Sequence, residues 1–144
     1  MATTVKADAH VGHATLTHAI RAMFPHPSFP DRPYERTTDA VLASAAADHR
    51  SSALIDQGLV DLDAAAGGAF ASLDGEAALE VLRGLSTTPF FAFVHAKVVT
   101  TLYDDREVWA LLGYQGEAFS QGGYLERGFD DLDWLPAAPI GELR

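Results

Sequence analysis

The sequence predicts an all-α fold. A small helical domain of about five to six helices spans residues 1–112, and a long irregular C-terminal strap spans 113–144. The strap is expected to pack on the domain and on a partner, so that the chain forms a single structural unit. Three observations carry this reading. Up to Leu112, apolar residues recur at steps of three and four, which places side chains on one face of a helix. Helix start and stop signals, above all Thr88-Pro89 and Gly113, fall between those segments. Strand signals are weak throughout: KVVTTLY is rich in β-branched residues but lies inside a stronger helical pattern.

The first periodic segment runs over about Val11–Phe24, with Leu16, Ile20, Met23 and Phe24 on one face. Pro25, Pro27 and Pro30 end it, and FPHPSFPDRP is expected to be extended or turning. A second helix is predicted from near Thr38 to Arg50, with Val41, Leu42 and Ala45 inward. A third begins at Ser51 or Ser52, where Ile55, Leu59, Leu62 and Ala66 follow steps of four, three and four. Gly67 and Gly68 weaken its end. Asp74 is a candidate N-cap for a helix over Gly75–Leu82. Thr88 followed by Pro89 opens the next, Pro89–Tyr103. Its apolar residues cover most of the girth, so it is expected to be the central, most buried helix. Asp104 offers a cap with Glu107 three residues on, opening a short helix over Asp105–Leu112. Gly113 stands where a left-handed C-terminal cap is expected.

Composition narrows the function classes. The 144 residues suffice for one domain with a modest core, and 48% of them are hydrophobic. The formal net charge of -10 repels phosphate backbones and anionic headgroups, which argues against a nucleic-acid partner. No apolar run approaches the ~20 residues of a membrane span, so no direct membrane insertion is expected. With no cysteine, the chain can form no disulfide, thiolate iron–sulfur ligation or covalent c-type haem link. The N-terminus has no twin arginine and no apolar h-region. The cytoplasm is therefore the expectation. A periplasmic location follows if a leader has been removed or if the chain is exported with a partner.

No catalytic, cofactor-binding or metal-binding constellation assembles from the sequence. His10, His13 and His18 cluster near the N-terminus without a companion carboxylate and read as solvated surface. His95 reads as a core histidine bonded to backbone or strap. Serines lack a G-x-S-x-G context. GYQGEAFSQGGY is neither a dinucleotide fingerprint nor a P-loop. Asp130, Asp131 and Asp133 lack EF-hand spacing.

The strap has a composition of its own. Tyr114, Phe119, Tyr124, Phe129 and Trp134 fall at every fifth position among glycines at 113, 116, 122, 123 and 128. Large aromatics must find a surface to bury against, and glycines permit the turns between them. An ordered strap is expected, anchored on the domain or on a partner by Trp109, Tyr114, Tyr124, Phe129 and Trp134, with Asp130 and Asp131 between the last two.

The strings LYDDREVWALLGYQG (Leu102–Gly116) and GGYLERGFDDLDW (Gly122–Trp134) resemble the gluconate 2-dehydrogenase subunit 3 family. The likeness is strongest over Leu85–Pro136, and MFPHPSFPD upstream is similar to that family's proline-bearing loop. These are small subunits of FAD-dependent dehydrogenases whose large subunits are of the glucose–methanol–choline type. The resemblance implies a noncatalytic partner that supports stability, folding, flavin loading or export of a large flavoprotein. FAD would sit in that partner, and a cytochrome c subunit would often take the electrons. Many members carry a twin-arginine leader, from which this sequence departs, and the departure puts the export role in doubt. The alternatives are a chaperone that leaves after flavin insertion, a free-standing small-molecule binding protein and an enzyme in its own right.

Overall fold

The computed structural model describes residues 2–119 together with 122 and 123. The chain divides into two compact units, Met1–Gly113 and Tyr114–Arg144. The first unit is built from α1 (Ala2–Met23), α2 (Asp31–Ala46), α3 (His49–Ala65), a single 3₁₀ turn at Phe70–Ser72, α4 (Gly75–Gly84), α5 (Pro89–Leu102) and α6 (Arg106–Leu112). The described residues contain no strand.

Helix α1 lies against α2 and α4, and α2 in turn against α3 and α5. Their inward faces make one core. Leu16, Ile20, Tyr34, Val41, Leu62, Phe70, Leu82, Val94, Val98 and Leu102 are among its buried members. Each such side chain contributes roughly 1.5–3 kcal/mol when fully removed from water, before its ordering entropy is subtracted. Helices α3 and α5 approach closely at Gly58. A β-carbon placed on Gly58 would stand 2.0 Å from the Phe90 ring, so only glycine lets the two helices meet there.

Two helix starts follow the expected chemistry. Asp74 accepts from the backbone N–H of Ala77, Thr88 accepts from that of Phe91, and Pro89 takes the first turn of α5. Gly113 closes α6 with φ 72°.

Several helix boundaries differ from the sequence reading, among them the end of α2, which falls at Ala46 rather than Arg50. Helix α1 begins at Ala2, well before Val11. Helix α2 begins at Asp31, because Pro33 falls in its first turn, where no intrahelical bond uses the N–H. Thr38 is therefore inside the helix, buried, and its hydroxyl donates to the Tyr34 carbonyl. The cap of α3 is Asp48, whose carboxylate accepts from Arg50 N and Ser51 N and from the Ser51 hydroxyl. The cap of α6 is Asp105 rather than Asp104.

Helix α5 is not wrapped on all sides. Phe90, Val94, Val98 and Leu102 form its buried stripe, whereas Ala92, His95, Ala96, Val99 and Thr100 are exposed. Apart from His95, its outward residues are small or apolar, so hydrophobicity alone overstated its burial.

Candidate functional site

Chemistry-bearing residues gather where α1 ends. The segment between α1 and α2 holds three prolines, which supply no N–H, so its shape needs outside support. Tyr34 supplies it from inside α2. Its fully buried phenol donates to the Phe24 carbonyl at 2.7 Å and accepts from His26 N at 3.2 Å. Burial raises the Tyr34 pKa above its ordinary value, against the lowering effect of the His26 N–H.

The loop's side chains are pinned as well. The His26 ring stacks on Phe29 at 4.3 Å, and its Nε2 is 2.7 Å from the Tyr103 hydroxyl at the end of α5. Arg21 reaches from α1 over the Tyr34 ring at 4.8 Å. It donates to the Phe29 carbonyl at 3.2 Å and to Asp31 at 2.6 Å.

Beside this loop lies a cleft of about 490 Å³, open to solvent between the end of α1 and the start of α4. Ala22, Pro25, Pro27 and Leu79 give it apolar walls. Its polar lining is His18, Arg21, His26 and Glu76. His18 packs edge-on against Phe70 at 5.5 Å, and its Nε2 is sealed from water without a hydrogen-bond partner. His18 is thus half-buried, not the solvated histidine expected. A second hollow of about 200 Å³ shares Leu79 and continues past Met23 and Leu82 to Phe91 and His95. His95 is exposed rather than a core residue, with its ring 5.4 Å from that of Phe24 and 5.9 Å from that of Phe91.

A charged clamp holds α6. Arg36 on α2 donates to both carboxylate oxygens of Asp105, at 2.8 and 2.9 Å, and to Glu107 at 2.8 Å. Asp105 also caps α6 by accepting from Glu107 N. Burial alone would raise the Asp105 pKa. The Arg36 guanidinium and the Glu107 N–H outweigh it and hold the carboxyl below its ordinary range. Glu107 therefore serves the clamp and does not reach back to complete a capping box.

Of the expected anchors, Trp109 is half-buried on α6. Its indole N–H donates to the Tyr103 carbonyl at 2.6 Å, and the Arg106 guanidinium lies 4.3 Å above its ring. It thus ties α6 to the end of α5. Tyr114 opens the second unit. Tyr124, Phe129, Asp130, Asp131 and Trp134 lie outside the described residues.

The cleft residues escaped the sequence reading because they come from two segments far apart in the chain, His18–Pro27 and Gly75–Leu79. The paired prolines at 25 and 27 were the one visible signal of a rigid wall.

Among the described residues, no three His, Cys, Asp or Glu side chains are placed to hold a metal ion. None of their helices is long and apolar enough to cross a membrane. No protein-family model, curated protein or solved structure matches the chain.

Proposed function

We propose that this chain is a noncatalytic small subunit of an FAD-dependent sugar or alcohol dehydrogenase, working in the cytoplasm. It would support the stability, folding or flavin loading of a large flavoprotein of the glucose–methanol–choline type. The observation that carries the reading is the pair of strings at Leu102–Gly116 and Gly122–Trp134. The first of them spans the α5–α6 corner, which the Arg36 clamp and the Trp109 bond hold in one shape. Solvent-facing apolar residues near that corner are compatible with a protein partner: Val99 on α5 is 41% exposed, and Leu111 and Leu112 on α6 are 44% and 55% exposed.

Co-expression with such a flavoprotein tests the proposal. A stable complex on size-exclusion, with higher flavoprotein yield and FAD content than without this chain, is the expected result. Unchanged yield and FAD content would sink it. Higher FAD content with no lasting complex would favour a transient chaperone. A free-standing small-molecule binding protein is the second reading, favoured by the cleft beside Pro25 and Pro27.

A further inference from the structure

The cleft between α1 and α4 combines a stiff apolar wall with one cation whose counter-ion is loosely held. The wall is stiff because two of its residues are prolines, and because Tyr34 fixes the backbone at Phe24 and His26. A cavity formed before its ligand arrives loses less ordering entropy on binding. Its volume of about 490 Å³ lies within the general range of small-molecule sites.

The polar lining favours one kind of ligand. Arg21 has five N–H donors and uses two of them, on Asp31 and the Phe29 carbonyl. The Asp31 carboxylate is 79% exposed and lies outside the lining, so water readily replaces Arg21 around it. A second carboxylate arriving through the cleft could therefore take its place in the planar fork of the guanidinium. His18 offers a further nitrogen once its ring turns about the Cβ–Cγ bond, and bonding to a ligand would satisfy a group now buried without a partner. His26 is already engaged by Tyr103. The walls of Ala22, Pro25, Pro27 and Leu79 suit a hydrocarbon body better than a polyhydroxylated one, since they offer hydroxyl groups nothing to bond. Glu76 is the one acidic residue in the lining, and it is exposed.

We propose that this cleft binds a small monocarboxylate with an apolar body, seated with its carboxylate on Arg21 in exchange for Asp31. The site lies wholly within the first unit and does not depend on the subunit reading.

Benzoate is the probe and benzyl alcohol its uncharged counterpart, each titrated into the full chain and followed by NMR. Saturable shifts at Ala22, Leu79 and His26 with benzoate are expected, and binding of benzyl alcohol about tenfold weaker or more. Asp31→Asn frees Arg21 and should tighten benzoate binding severalfold. That gain cannot come from a misfolded variant. Arg21→Gln should abolish it, with far-UV circular dichroism showing that the helices persist. Glu76→Gln should leave binding equal or slightly tighter. Absence of saturable benzoate shifts in the millimolar range overturns the site. Equal binding of the alcohol, or no gain from Asp31→Asn, overturns the carboxylate assignment.

Discussion

Two ends of the helical unit are held together by opposite means. Where α3 crosses α5, the contact is shape alone: a glycine notch at Gly58 and the Phe90 ring seated against it. At the other end, around the proline loop and the start of α6, directed polar bonds do the holding. Tyr34 pins the loop, Arg36 pins Asp105 and Glu107, and Trp109 pins the end of α5. The first contact should be insensitive to pH and intolerant of added volume. The second should tolerate small changes of volume and respond to pH at both extremes.

Removing the ring breaks the shape-held end most severely. Phe90→Ala should cost about 3–5 kcal/mol in denaturant unfolding, with little change between neutral and mildly acidic pH. Gly58→Ala should cost about 2 kcal/mol. Its clash with Phe90 belongs to the upper part of the overpacking range, offset by ~1 kcal/mol of helix propensity. In the double variant the clash is gone, so the two costs should add to less than their sum. Full additivity would show that Gly58 does not meet Phe90 in solution.

The polar end breaks by loss of single atoms. Tyr34→Phe keeps the ring but strands the Phe24 carbonyl and the His26 N–H, for about 1–3 kcal/mol. In the parent, the raised Tyr34 pKa gives a contribution that is complete below about pH 10 and is lost as pH rises toward the folded value. The phenylalanine variant should lack that alkaline limb. Asp105→Ala removes a cap and the Arg36 bridge together, for about 1–2 kcal/mol at neutral pH. The folded pKa of Asp105 is depressed, so its contribution is present above the ordinary carboxylate pKa and is lost as pH falls through the lower folded value. Variant and parent should therefore converge in acid, and urea midpoints at neutral pH and near pH 3 would show it. The smallest effect belongs to Asp31→Asn, at or below about 1 kcal/mol, because that pair is exposed. The same change is the one expected to tighten benzoate binding.

Local signals in the sequence were legible where one residue type answers one backbone need. Thr88 with Pro89, Asp74 and the left-handed Gly113 were all readable in this way. Signals with two physical meanings misled. Proline stops a helix from within but is tolerated in its first turn, and Pro33 hid the start of α2. Two adjacent aspartates offered two caps, and Arg36, about seventy positions upstream, engages Asp105. The outward face of α5 could not be told from its inward face, because alanine and valine suit both. The cleft was not legible at all, since His18 and Glu76 come to line one cleft only after α1 and α4 have packed.

Tyr34 has a meaning for descent as well as for stability. The phenol adds to the turn bond from the Phe29 N–H to the His26 carbonyl that the proline-bearing segment makes for itself, so part of the loop's path is written ten residues downstream of Phe24. Ser28, exposed and outside these contacts, can then drift while the path persists, provided the tyrosine stays. In any divergent relative, loss of this tyrosine should coincide with a loop of different length.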